Sequence, residues 1–245
     1  NIPVLFDTTL TSFLKAKPKM VKLSRSKIEL FIECPRCFWL EMKQRVKRPP
    51  PAPYTLNNAI DYLLKQEFDL YREKEIPHPI MVSNKIKAVP WKTPEMNKWR
   101  HNFTGVTYHH EPTDFMVSGA IDDLWLNPLR EIHVVDYKAT GANQHQIYDS
   151  YGRQMEIYQW LFRKNKIKVS PIGYFVFARV SKANGFSTQR GGALPFDIFV
   201  EPYKGDDSWI EETLKNAGIV FESNEVPKAS ASCIHCEYRA HASAF

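Results

Sequence analysis

Cysteine is scarce in this chain, four residues in 245, and all four fall in two pairs, Cys34-Pro35-Arg36-Cys37 and Cys233-Ile234-His235-Cys236. Nothing resembles a secretory signal, which weighs against a disulfide framework. A thioredoxin-type motif would account for one pair but not for two at opposite ends. Long apolar runs are missing as well. None approaches the roughly 18 residues that cross a bilayer, so a soluble, cytoplasmic protein with no membrane partner is expected. Internal repeats are absent, and the only low-complexity stretch is Pro49-Pro50-Pro51, a stiff extended connector. With 43% hydrophobic residues the chain is long enough to bury a substantial core. One domain over 1–245 is expected, with a helical arm over 1–50, a core over 51–222 and a cysteine segment over 223–245.

What is present is a concentrated set of carboxylates. Residues 132–138 (IHVVDYK) are rich in β-branched side chains and follow the turn-like Asn127-Pro128. They predict the second strand of a hairpin whose first strand covers 117–126. Side chains alternate along a strand, so Asp136 and Lys138 share one face and Tyr137 takes the other. Asp122 and Asp123 likewise point opposite ways, and only one can join Asp136. The small Gly119-Ala120 approach indicates a backbone lying close to something, and Asp122 is the expected partner. Two converging carboxylates repel unless a cation sits between them, and hard oxygen ligands suit Mg2+ or Mn2+. Such an ion polarises a phosphoryl oxygen, while the Lys138 ammonium can orient an attacking water or balance phosphate charge.

A helix is predicted over about 147–162 from the spacing of Tyr151, Met155, Tyr158 and Phe162. Gln154 and Tyr158, four apart, share a face and can present an amide and a phenol to the same cleft. Taken singly these residues have bland readings: an Asp-Xaa-Lys triplet is usually a solvated charge pair, and Gln154 and Tyr158 would be ordinary helix surface. Their order and separation favour the chemical reading.

Two Cys-Xaa-Xaa-Cys pairs supply four thiolates, a complete tetrahedral shell for zinc and equally a complete set for an iron–sulfur cluster. Ser26 and Glu29 are placed to form a capping box for the helix ahead of Cys34, and Pro35 ends that helix, leaving Cys34 exposed at its end. His235 and His241 lie close enough in sequence to be ligands or neighbours of the ligands.

Together these segments resemble the PD-(D/E)XK nuclease superfamily, and within it the group that holds the nuclease domains of RecB and AddB and the small exonucleases of CRISPR adaptation. The Gly-Xaa-Xaa-Asp strand is Gly119 to Asp122, the strand ending in Asp-Tyr-Lys is Asp136 to Lys138, and the Gln-Xaa-Xaa-Xaa-Tyr helix is Gln154 to Tyr158. An earlier family helix carries histidine or glutamate where this chain has Asp61. The alternative for Asp61 is the polar side of an amphipathic helix with Ile60, Leu63, Leu64 and Phe68 inward. Residues 23–36 and 233–239 are similar to the family's two cysteine motifs. The usual third downstream cysteine is replaced by Ala240-His241-Ala242, so Cys37 would complete the set.

The resemblance implies an α/β fold like that of restriction endonucleases, a central mixed sheet flanked by helices, with the termini joined by a four-cysteine metal site. It implies a Mg2+- or Mn2+-dependent DNA nuclease of RecB-like type, an exonuclease among the options. Asp61, Asp122 and Asp136 would bind the metal, and Asp122, Asp136, Lys138, Gln154 and Tyr158 would form the catalytic set. Cys34, Cys37, Cys233 and Cys236 would hold an iron–sulfur cluster of 4Fe–4S type, with Zn2+ as the other option. DNA and other nucleic-acid-processing proteins are the implied partners, with roles in DNA repair or CRISPR adaptation. The alternative is a nucleic-acid-binding module on the same fold, with a weak or inactive site and a structural zinc.

A net charge of +6 fits a phosphate-rich partner. The positive residues gather at Lys15, Lys17, Lys19, Lys22, Arg25, Lys27, Lys43, Arg45, Lys47 and Arg48. A second stretch, 85–110, interleaves Lys87, Trp91, Lys92, Lys98, Trp99, Arg100, Phe103 and Tyr108. Such aromatics either stack on bases of a single strand or simply pack on the core. The remaining expectations are a buried strand over 172–180, a loop over 182–192 with Lys182 and Arg190 as possible substrate contacts, a strand over 196–200 and a helix over 208–222.

Overall fold

Apolar residues at four-residue intervals and β-branched runs between them set the element order. In chain order these are β1 (Val21–Ser24), α1 (Arg25–Glu33), α2 (Pro35–Gln44), α3 (Thr55–Lys74), α4 (Pro79–Ser83), β2 (Val89–Pro90), α5 (Met96–Arg100), β3 (Val106–His110), β4 (Phe115–Gly119) and β5 (Asp123–Leu126). Then come β6 (Ile132–Thr140), α6 (Asp149–Lys164), β7 (Ile172–Val180), the small pair β8 (Ser187–Thr188) and β9 (Gly191–Gly192), β10 (Phe196–Lys204), α7 (Ile210–Glu222) and α8 (Ile234–Ala242). The structure, a computed structural model, describes residues 20–53, 55–183, 185–188 and 191–243. Lys15, Lys17, Lys19 and Arg190 lie outside the described residues.

Two mixed sheets flanked by helices form the α/β fold. The larger has the order β10-β7-β6-β5-β2, with β6 and β7 parallel and the other pairs antiparallel; the smaller has the order β1-β4-β3. Strand β6 is buried from Ile132 through Tyr137 because both its faces are covered, which is why its apolar residues run on rather than alternate with polar ones. On one face Val135 and Tyr137 pack with Ile60, Leu64 and Phe68 of α3. On the other, Val134 packs with Met155, Leu161 and Phe162 of α6. Leu63, expected inward, is 60% exposed. The buried stripe of α3 recurs every four residues, at 60, 64 and 68, and three residues past Ile60 falls on its flank.

The expected first hairpin strand, 117–126, is broken. Residues 120–122 pair with neither sheet, so β4 belongs to the smaller sheet and β5 to the larger, where it pairs with β6 from Asp123 opposite Val135 to Leu126 opposite Ile132. Gly119 sits at the break because the Tyr158 ring of α6 lies against its Cα; a Cβ there would come within 2.6 Å of Tyr158 Cε1. The expected strand over 196–200 runs on to Lys204 through Pro202. β10 is an edge strand, where a missing N–H costs no ladder bond.

The capping box expected from Ser26 and Glu29 does not form. Helix α1 starts after Ser24, which makes no side-chain cap, and Ser26 Oγ meets Ser24 Oγ at 2.9 Å. Buried Glu29 instead accepts two bonds from Arg153 of α6, at 2.6 and 3.0 Å. A charge-assisted forked pair outcompetes a bond to a backbone N–H. Pro35 does end α1, but Cys34 is fully buried rather than exposed, since α2 turns back at once and carries it into the core. No described helix is long and apolar enough to cross a membrane.

Gly119→Ala should destabilise the protein by about 1–3 kcal/mol, because the added methyl must displace a packed ring rather than a flexible chain end. Urea unfolding would detect it as a lower midpoint with an unchanged slope.

Candidate active site and thiolate cluster

The break between β4 and β5 puts two adjacent carboxylates in opposite environments. Asp123 is buried and saturated: Tyr137 Oη donates to its Oδ2 at 2.7 Å, the Leu124 N–H to its Oδ1 at 2.6 Å, and Arg72 and Arg100 both pair with it. Arg100 also donates to the Asp122 main-chain oxygen at 2.8 Å and, with Arg72, grips Asp69. This network fixes the backbone from which Asp122 projects the other way.

Asp122 Oδ2 accepts the Tyr137 N–H at 2.9 Å, so its carboxylate docks on β6 beside Asp136. Asp136 and Lys138 share the face toward α6 and form an ion pair. Gln154 Nε2 donates to Asp136 Oδ1 at 2.8 Å and to Tyr158 Oη at 3.1 Å, and Lys138 Nζ donates to Gln154 Oε1 at 3.3 Å. The Lys138 ammonium also lies 4.7 Å from the centre of the Tyr151 ring. Asp61 reaches the group through Lys65, whose ammonium bonds Asp61 Oδ2 at 2.8 Å and Asp122 Oδ1 at 2.9 Å. Asp61, Asp122, Lys138 and Gln154 therefore line a cleft of about 780 Å³ between α3, α6 and the ends of β5 and β6, and Asp136 and Tyr158 are buried behind them, joined through Gln154.

Three carboxylates crowd together here with the ammoniums of Lys65 and Lys138 between them. Burial, with the Asp122 charge adding to it and Lys138 opposing, pushes the Asp136 carboxyl up to about 6. Asp61 is raised by burial and by the Asp122 charge, against the pull of Lys65. Burial acts upward on Asp122 too, but Lys65, Lys138 and the Tyr137 N–H outweigh it and hold it low. Burial would lower Lys138, and the charges of Asp136 and Asp122 overcome that and keep it protonated. Asp136 Oδ2, buried, has the Lys138 ammonium beside it but accepts no well-formed hydrogen bond. Converging carboxylate oxygens, one of them without a well-formed hydrogen bond, suit a divalent cation.

Lys65, Arg100 and Arg25 escaped the sequence reading as site residues. Lys65 carried a usable signal, since it follows Asp61 by one helical turn. Arg100 had none, because Asp69 and Asp123 are brought to it only by tertiary folding. Trp91 and Trp99 pack against one another, and Trp99 against Phe162, so they are core rather than base platforms. Lys182 bonds the Asn143 side chain at 3.3 Å and does not line the cleft.

The second constellation is buried where α1 meets α2 and α8 begins. Cys37 Sγ lies 3.6 Å from both Cys233 Sγ and Cys236 Sγ, Cys34 Sγ lies 3.8 Å from Cys236 Sγ, and all four fall within 4.8 Å of one another. Arg239 donates to Cys37 Sγ at 3.2 Å and Arg48 to Cys233 Sγ at 3.6 Å. Burial opposes charge on Cys34, but hydrogen bonds from the Ser230 and Cys37 backbone and the neighbouring thiols bring it down to about 6. Burial and the other three sulfurs push Cys236 up to about 12. Four sulfurs this close cannot all be thiolates without a cation among them. His235 and His241 are not part of the metal-ligating group found among the described residues.

An α/β core of mixed sheets with paired carboxylates and a lysine at one cleft defines a class of protein built to hold a cation against an anionic substrate. The family model of the PD-(D/E)XK nuclease superfamily matches residues 22–241, and the chain belongs to that superfamily. Nuclease hydrolysis, typically with a divalent metal, is the chemistry of that superfamily. No curated protein matches this sequence. Among solved structures the chain is similar to the crystal structure of SSO0001, at 13% identity and a TM-score of 0.40, covering 87% of this chain and 82% of that one.

Asp123→Asn should cost about 3–5 kcal/mol, because it leaves Arg72 and Arg100 buried beside an uncharged amide. Asp61→Asn, which removes a charge that burial and Asp122 already disfavour, should cost less than about 1 kcal/mol. Chemical denaturation of the two variants side by side would test the ranking.

Proposed function

We propose that this protein is a Mg2+- or Mn2+-dependent deoxyribonuclease of RecB-like type. The observation that supports this reading most directly is the docking of Asp122 on β6 through the Tyr137 N–H, which brings its carboxylate beside Asp136 at a cleft that Lys138 and Gln154 also line. Asp122 and Asp136 would hold the divalent ion, with Asp61 within reach through a shift of Lys65. The ion would supply Lewis-acid polarisation of the phosphoryl oxygen and a hydroxide near neutral pH.

The chain's own residues define the rest. Gln154 takes up one oxygen of Asp136, Oδ1, and the Lys138 ammonium sits against the other, Oδ2. Lys138, kept protonated by two carboxylates, suits a donor that orients water or stabilises charge on the phosphate and does not suit a general base. Tyr158 holds the Gln154 amide from below, one turn along α6. Linear, circular, single- and double-stranded DNA with Mn2+ or Mg2+ are the substrates to try. Asp136→Ala and Lys138→Ala should each lose at least about a hundredfold in rate. The Asp136 carboxyl must be ionised to act, and its folded-state pKa is raised, so cleavage should fall as pH drops through about 6. Cleavage of no substrate would move the reading to a binding module on the same fold.

For the cysteines we propose one tetrahedral zinc ion in place of the iron–sulfur cluster implied by resemblance. Metal–sulfur bonds of about 2.3 Å place tetrahedral sulfurs about 3.8 Å apart. Three of the six sulfur separations, at 3.6 to 3.8 Å, and the bound of 4.8 Å on all of them support that size. A cubane puts each thiolate on a different iron and spreads the sulfurs well beyond this spacing. Two guanidiniums on the sulfurs would balance the charge of four thiolates around a dication. Purified protein should be colourless, carry about one zinc per chain and lose thermal stability when the ion is stripped. Brown protein with iron by elemental analysis would reverse the assignment.

A further inference from the structure

Among the described basic residues near the start of the chain, four are committed to the protein itself. Lys27 pairs with Glu41, Lys22 with the Phe103 carbonyl, and Arg48 with Glu33 and Cys233. Lys43 donates to the Ser223 carbonyl at 2.7 Å. Within the cleft, Lys65, Lys138 and Arg100 are likewise taken up by carboxylates. Arg25 differs. It lines the cleft, is half-buried, and among the described residues makes no hydrogen bond or ion pair, although its charge is felt at Asp136 and Tyr158.

We propose that Arg25 is a phosphate-binding residue of the cleft, and that α1 is a strut holding it there, fastened at its other end by the thiolate site. The inference rests on the nuclease reading and adds the residue that grips the substrate backbone. A guanidinium drawn partly out of water without a partner is unfavourable, and its planar fork matches a phosphate. Arg25 is the first residue of α1, and Cys34 follows the last, nine residues and about 14 Å further on. Midway, Glu29 clamps α1 to Arg153, the neighbour of Gln154, by two hydrogen bonds. The helix is thus held at one end by the buried sulfurs and in the middle by the element that positions Asp136, and it delivers Arg25 to the same cleft.

Binding of labelled single-stranded and duplex DNA, in EDTA so that nothing is cut, measures this apart from catalysis. Arg25→Ala should weaken binding roughly tenfold. It should also flatten the slope of log Kobs against log salt by about 0.7 to 0.9, the value of one phosphate contact. Arg25→Lys should keep the slope and lose part of the affinity. An unchanged slope for folded Arg25→Ala overturns the assignment, whereas wild-type protein that binds neither DNA overturns the nuclease reading and this inference with it. For the strut, Cys34→Ser should weaken binding as Arg25→Ala does and add nothing to it in the double variant; additive losses would overturn the strut. If Cys34→Ser does not fold, Glu29→Gln takes its place in the cycle.

Discussion

Adjacent carboxylates facing opposite ways are the constraint on which the rest of this structure turns. Asp123 needs cations in the interior and finds them in Arg72 and Arg100; those arginines then bind Asp69 of α3 and the Asp122 carbonyl. The strand between the two sheets breaks there, and Asp122, denied a place in the ladder, takes the Tyr137 N–H with its side chain instead. A buried charge that is fully paired holds geometry more firmly than apolar contact alone, because losing either partner strands the other. The result is a cleft whose floor is set by a structural salt-bridge network and whose lining brings carboxylates and cations together.

The same logic separates the chain's two candidate ion sites. At the cleft, oxygen donors are spread over α3, β5 and β6 and partly neutralised by lysines, an arrangement in which ligands, water and substrate can exchange. At the termini, four sulfurs are packed at van der Waals distance in the core, with arginines on their outer side. One suits chemistry and the other fastening. Helix α1 runs between them, and its Glu29 pair with Arg153 ties it to the helix that carries Gln154 and Tyr158.

Much of the site was legible because its signals are local. Alternation along 132–138 put Asp136 and Lys138 on one face, four-residue spacing put Gln154 beside Tyr158, and the small Gly119 announced a close approach that proves to be the Tyr158 ring. Strand β7 and helix α7 were readable from apolar patterning, α7 to within two residues. Other features were not legible. Ser26 and Glu29 had the spacing of a capping box, yet Glu29 had a stronger partner 124 residues away in Arg153. The strand across 120–122 had strand-like composition, yet it breaks where two sheets compete for one segment.

By itself the sequence determined the repeating face patterns, the four-thiol set and which residue types could meet a cation, since these depend on periods of two and 3.6 and on side-chain chemistry. Only the tertiary structure decided which aspartate of the pair faces the cleft and which is buried against arginines. It likewise decided that Lys65 lies between two carboxylates, that the four sulfurs come within 4.8 Å of one another, and that Arg25 has no hydrogen-bond or ion-pair partner among the described residues. Each of these is a competition among distant charged groups for a limited number of partners in a low-dielectric interior. The outcome of such a competition is set by distances that no local pattern encodes.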